Sequence, residues 1–187
     1  MRRIIWICCL CLFLSSCSVP LRVSDKGLEE GGKPVARLLN IRIERWGEVR
    51  FSGLLALREQ GEQLYYALLD PTGVKLLEVV VDSDGEYRIL HAKGVLQDSS
   101  LGGFLSEVLI RIYRQEPAVL PCAGTWLYQL CIEQGDGTTD KYSQIGPLTL
   151  WRITAVPARQ GVDYTALTYN QPWIGVAIFL EPTKLSK

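Results

Sequence analysis

Covalent chemistry at neutral pH needs a nucleophile, a base or a metal with companions at fixed spacing, and few residues in this chain of 187 qualify. His91 is the sole histidine; the six cysteines are Cys8, Cys9, Cys11, Cys17, Cys122 and Cys131. A Ser-His-Asp or Cys-His pair would have to use His91, yet no Gly-x-Ser-x-Gly elbow accompanies it. Cys122, Cys131 and His91 lack the paired spacing of a zinc site. Asp82-Ser83-Asp84-Gly85-Glu86 has the look of a calcium loop, but the twelfth position is Lys93 rather than Glu, and a hairpin turn explains the Asp-Gly pair. In Gly31-Gly32-Lys33-Pro34 a proline follows the lysine, which no phosphate loop allows. The residues therefore predict a non-enzymatic protein without metal or cofactor. Cys122 and Cys131 either bridge or pack as buried thiols. A turn at Ala123-Gly124 would carry Cys131 far up the next strand, beyond the roughly 7 Å reach of a disulfide.

The other four cysteines belong to a different kind of segment. Met1-Arg2-Arg3 precedes the apolar run from Ile4 to Leu14 and then Ser15-Ser16-Cys17, the plan of a secretory signal. The run falls short of the roughly 20 residues a spanning helix needs. Leu14-Ser15-Ser16-Cys17 resembles the lipobox of bacterial lipoproteins. That resemblance implies a signal peptide over residues 1–16, acylation of Cys17 (palmitate among the chains) and, with Ser18 rather than Asp after it, an address at the outer membrane facing the periplasm. Residues 17–36 carry Pro20, Gly27, Gly31, Gly32 and Pro34 among charges and read as a flexible tether.

Charge excludes another class. The whole chain has 20 basic and 20 acidic residues; losing Arg2 and Arg3 with the signal leaves 18 against 20, a net of −2. Such a surface has no electrostatic affinity for nucleic acid. Apolar residues make up 48%, enough for a packed core and more than a disordered chain carries.

What would position any site is a β-rich domain over residues 37–187. Runs from Leu38 to Arg45, Val49 to Arg58, Leu64 to Leu69, Val74 to Asp82 and Glu86 to Ala92 are separated by turn residues, which predicts five antiparallel strands. In the second, Val49, Phe51, Leu55 and Leu57 share one face. Between Ser99 and Gln115 the period changes: Leu101, Leu105, Val108, Leu109 and Ile112 mark an amphipathic helix with Ser99-Ser100 as candidate caps. Four more strands are expected at Trp126 to Ile132, Leu148 to Val156, Asp163 to Tyr169 and Ile174 to Leu180. About nine strands and one helix make an α+β, mostly antiparallel class, and a sheet that wide must curl. A curled sheet under a lid helix leaves a concave apolar face. Phe51, Leu55, Leu57, Leu105, Leu109, Tyr128, Trp151 and Phe179 are the expected lining of an apolar cavity.

The strand Leu64-Tyr65-Tyr66-Ala67-Leu68-Leu69, the turn Asp70-Pro71-Thr72-Gly73, the run Leu76-Leu77-Glu78-Val79 and the later Lys93-Gly94 resemble the outer-membrane lipoprotein receptor LolB and LolB-like lipoproteins, over roughly residues 45–113. The resemblance implies a curled half-open β-barrel whose apolar face takes the acyl chains of a lipoprotein from a LolA-like periplasmic carrier. It also implies a loop tip at Pro71, Thr72, Gly73 and Val74. Two features depart from the family. Its exposed loop-tip leucine is replaced by Thr72, which puts insertion of cargo into the membrane in question, and a second helical segment has no match between Pro117 and Thr125. The expected function is a monomeric, lipid-anchored outer-membrane protein that binds acyl chains or lipoproteins for transport to that membrane. The alternative is a non-catalytic assembly lipoprotein docked on another envelope protein.

Overall fold

A computed structural model describes residues 36–97, 100–158 and 164–183. The expected signal peptide, Cys17 and the tether up to residue 35 lie outside the described residues. Eleven strands form a single antiparallel sheet: β1 (Ala36–Arg45), β2 (Glu48–Gln60), β3 (Gln63–Leu69), β4 (Lys75–Val81), β5 (Tyr87–Ala92), β6 (Cys122–Gly124), β7 (Tyr128–Gln134), β8 (Thr139–Ile145), β9 (Leu148–Val156), β10 (Ala166–Gln171) and β11 (Val176–Pro182). One α-helix, α1 (Leu101–Tyr113), and two short 3₁₀ turns are the helical elements among the described residues. The spatial order is β5-β4-β3-β2-β1-β11-β10-β9-β8-β7-β6. The two halves of the chain are thus joined edge to edge by β1 pairing with β11.

The expectation of about nine strands missed β6 and β8, and the expected half-open barrel is an open sheet whose edges, β5 and β6, are not hydrogen-bonded neighbours. It is nonetheless strongly curled. α1 meets β3 through Tyr66 and β8 through Lys141. Between these strands lie six spacings, about 29 Å along the sheet, whereas 13 residues of helix extend only ~20 Å. The sheet must wrap around the helix for both contacts to form.

Alternation sets which side chains meet it. Leu39, Ile41 and Ile43 of β1 register with Leu180 and Ile178 of β11 and with Leu55 and Phe51 of β2, and cross-strand partners share a face. This concave face continues through Leu64, Tyr66, Leu68, Leu77, Val79 and Val81 on one side and Leu167, Tyr169, Ile153, Trp151 and Leu130 on the other. α1 covers it with Leu105, Val108 and Leu109. Ser100 holds the N-cap position but makes no side-chain cap bond. The helix is pinned instead by a buried polar cluster: Tyr66 Oη and Ser106 Oγ both donate to the Gly102 carbonyl, at 2.6 and 2.8 Å. Burial raises the Tyr66 phenol far above its ordinary range, so it remains a neutral donor. A side chain at Gly102 would press on Ile89, 3.4 Å from an added Cβ.

Cys122 and Cys131 are bonded, with Cα atoms 4.0 Å apart. The expected obstacle disappears because the turn falls at Thr125–Leu127 rather than Ala123-Gly124, which sets the two cysteines directly opposite in the β6–β7 register. The bond holds a three-residue edge strand that has one neighbour only. Closing a loop with a sequence separation of 9 is worth about 2–3 kcal/mol in the chain-entropy account. Cys122→Ala with Cys131→Ala is expected to lower urea-unfolding stability by that amount, with amide exchange accelerated first in β6 and the adjoining half of β7.

Candidate ligand cleft

The residues expected to line a cavity divide into three groups. Leu55, Leu57, Leu105 and Leu109 lie together on the concave face, but each is at most 2% exposed. They form the filled contact between helix and sheet. Phe51 is half-buried on the same face at the end of that core, its ring over Gly53, where an added Cβ would sit 2.9 Å from it. Phe179 is a correction. It registers with Arg42 rather than with the isoleucines beside it, so it points away from α1. There the Arg42 guanidinium stands 4.3 Å from its ring centroid, beside a separate hollow of about 360 Å³ that also touches Asn40, Ser52 and Glu181.

Tyr128 and Trp151 do meet at an opening. On the flank of α1 away from the filled core, a cleft of about 460 Å³ runs between Ile110, Arg111 and Arg114 of the helix, Ser83–Gly85 of the β4–β5 turn, and Tyr128 and Trp151. Its size is that of a small-molecule site. It forms because α1 packs on one side of the concave face while the far half of the sheet meets this flank at Arg111, through Tyr169 and Trp151, and leaves the space beside that contact open.

Arg111 organises the cleft wall. Its guanidinium donates to the Tyr169 hydroxyl and to the Glu107 carboxylate and lies 5.4 Å from the Trp151 ring centroid. Tyr169 passes its own proton to Gln171 Oε1 at 2.8 Å and stacks on Trp151 at 6.4 Å between centroids. Burial pushes the Tyr169 phenol up to about 12, with Arg111 acting in the opposite sense. The cation is thus fixed by a carboxylate, a neutral phenol and an aromatic face, leaving an apolar wall beside it. Sequence reasoning missed Arg111; its signal was a basic residue among the aliphatic positions of the helix.

At the helix C-terminus, Lys141 reaches inward from β8 and donates to the carbonyls of Ile112 and Gln115 at 2.8 and 3.0 Å, satisfying acceptors that the helix leaves open. Tyr113 and Tyr164 hydrogen-bond nearby; burial and the neighbouring Tyr164 hold the Tyr113 phenol well above its usual range. This end borders a second opening of about 410 Å³. Ser143, on the inner face opposite Trp151 and Leu130, buries a hydroxyl with no hydrogen-bond partner among the described residues.

The predicted loop tip is a closed turn. Asp70 Oδ1 accepts from the Thr72 amide at 2.8 Å, the Thr72 hydroxyl at 2.6 Å and the Val74 amide at 3.0 Å. Thr72 is therefore the residue that closes the turn on Asp70, and Val74 is the exposed apolar side chain, at 44%. His91 sits exposed on β5 opposite Glu78, and no group of three or more His, Cys, Asp or Glu suited to a metal exists among the described residues. No helix among the described residues is long and apolar enough to cross a membrane.

No family model matches the chain, and no curated protein matches it. Among solved structures it is similar to a DUF1329 family protein from Desulfovibrio piger, at 11% identity, over 80% of this chain and 82% of that one, with a TM-score of 0.37. A likeness at that score carries no argument about function.

Hydrogen bonds from Thr72 and Val74 hold the Asp70 carboxyl below its ordinary value. A lowered folded-state pKa gives stability that is present above the unfolded value, near 3.9, and lost as pH falls through the folded one. The Thr72 and Val74 amide resonances are expected to stay at their neutral-pH positions down to pH ~4 and shift together below it. In Asp70→Asn the same two amides should show no acid transition.

Proposed function

We propose that this chain is a lipid-anchored, non-catalytic envelope protein that takes an acyl chain, free or on a lipoprotein, into the cleft beside α1 for delivery to the outer membrane. The observation that carries the reading is the cleft itself: about 460 Å³ between Ile110, Tyr128 and Trp151, with Arg111 turned onto Glu107 and Tyr169 and Arg114 onto the Asp82 carbonyl. At roughly 30 Å³ per water-sized group, that volume has room for about fifteen such groups, the scale of one acyl chain. Each methylene transferred from water gains about 0.8 kcal/mol, so uptake needs no covalent step. The lipobox-like Leu14-Ser15-Ser16-Cys17 and the LolB-like stretch over residues 45–113 supply the envelope location and the class of cargo, including a LolA-like donor.

The reading is tested by extracting the purified full chain for mass spectrometry of bound lipid and by titrating it with a fluorescent fatty acid. Saturable one-to-one binding is expected. Tyr128→Asp, at a half-buried cleft position, should weaken it at least tenfold, while Phe179→Ala on the opposite face should leave it unchanged. Absence of saturable binding, or an equal loss in Phe179→Ala, would overturn the assignment.

A further inference from the structure

The two ends of the sheet differ in a way the cleft does not require. Of the turns at one end, the β1–β2 turn (Trp46-Gly47), the β6–β7 turn (Thr125-Trp126-Leu127), the β8–β9 turn (Gly146-Pro147) and the β10–β11 turn (Pro172-Trp173-Ile174-Gly175) contain no charged residue, while the β3–β4 turn beside them carries Asp70 and the strand ends Arg45 and Glu48 flank Trp46-Gly47. The turns at the other end contain Glu62, Asp82, Asp84, Glu86 and Asp136. Turns are ordinarily polar. Here Trp126 is 87% exposed, Trp46 67% and Trp173 56%, although tryptophan in a β-rich domain is expected in the core.

These tips are joined into one row. The Trp46 amide donates to the Gly175 carbonyl at 2.7 Å, and its indole lies so close over Gly175 that an added Cβ would be 2.3 Å from the ring. Trp173 Nε1 donates to the Thr149 carbonyl at 2.8 Å, one residue beyond exposed Leu148. The Gly146 amide donates to the Leu127 carbonyl at 3.2 Å, beside Trp126. Six strand spacings separate the first tip from the last, about 29 Å along the sheet edge. Trp46 also holds a positive φ of 55°, a conformation in which hairpin turns use Asn, Asp or Gly. A bulky aromatic in that position is a strained placement of the kind found at functional surfaces.

From this row we infer a docking edge for the interfacial region of a lipid bilayer. A line of projecting turn tips is convex and fits a planar surface, where a protein partner would need a matching groove. Indole side chains favour the headgroup level of membranes, and the four turn tips bring no charge of their own into it. The turns with Glu62, Asp82, Asp84, Glu86 and Asp136 lie at the far end. β1 enters the sheet at that far end, but the residues between Cys17 and Ala36 can extend to about 60 Å, beyond the ~33 Å of a ten-residue strand, so an anchor at Cys17 permits the row to face the membrane. The inference does not depend on an acyl chain in the cleft.

The test is co-sedimentation of the chain from Ser18 onward, which carries neither the signal segment nor the acylated cysteine, with phosphatidylcholine–phosphatidylglycerol vesicles. Trp126→Ser with Leu127→Ser is expected to reduce the bound fraction at least tenfold; Leu120→Ser, equally apolar and 70% exposed but off the row, should leave it unchanged. Fatty-acid binding in the cleft should survive in both variants, which separates failure here from failure of the cleft assignment. Unaltered sedimentation of the Trp126/Leu127 variant, or an equal loss in Leu120→Ser, overturns the docking edge. So does a dimer in solution that the Trp126/Leu127 variant abolishes with vesicle binding intact, which would make the row a contact between copies.

Discussion

One helix has to serve the concave face of an eleven-stranded sheet, and this constraint sets most of what else is seen. A 13-residue helix cannot cover a flat sheet of that width, so the sheet must come to it. The closure is anchored at both ends of α1. Near its start, the Tyr66 and Ser106 hydroxyls share the Gly102 carbonyl; at its end, Lys141 takes the Ile112 and Gln115 carbonyls. A lysine on an inward-facing strand position is costly unless paired, and the helix terminus supplies the acceptors. Between these anchors the near half of the sheet packs tightly onto leucines, while the far half reaches the cleft flank at Arg111, through Tyr169 and Trp151, and leaves space beside it. The cleft is what remains when a small helix is wrapped by a sheet longer than its perimeter.

How much of this could be read in advance follows from which patterns tertiary contacts leave intact. The first five strands and the helix were legible because each has a clean period, of two or of three to four, and polar turns. β8 was not. Its inward positions are Thr139 and Lys141, which border the opening at the helix C-terminus, and the buried Ser143, so no apolar alternation betrays a strand. β6 was hidden by length: three residues held by a disulfide give no pattern. Phe179 illustrates a different limit. Val176-Ala177-Ile178-Phe179-Leu180 is apolar on both faces, so residue type could not choose a side, and pairing with Arg42 in the register decided it. Leu55, Leu57, Leu105 and Leu109, expected as cavity lining, lie in the filled contact between helix and sheet. Whether an inner face is filled or open depends on how far the two halves of the sheet close, which no local pattern encodes.

The β3–β4 turn and the tryptophan-bearing turns occupy the same end of the sheet and show opposite chemistry. Asp70 and Thr72 satisfy each other and the local amides, as loop residues do when their task is to reverse the chain. Trp46 reverses the chain at a positive φ that its side chain disfavours, by roughly 1–2 kcal/mol for the left-handed region. A sequence consistent at every level would place Asn there. The contrast within one end of one sheet makes solvent exposure alone a poor explanation for the indoles.

Cleft and edge meet on β7. Tyr128 forms part of the cleft wall, and Trp126 stands two residues away at the tip of the same turn. On the proposed function, this adjacency bears on rate more than on equilibrium. An acyl chain moving from cleft to bilayer through water would re-expose its methylenes, at about 0.8 kcal/mol each, and ten of them would add about 8 kcal/mol to the barrier. A path along Tyr128, Leu127 and Trp126 keeps apolar surface against the chain for part of that distance, so only the segment in transit is wetted. On that proposal the tryptophan-bearing turns and the cleft form one apolar route, with the helix-wrapped core fixing the distance between them.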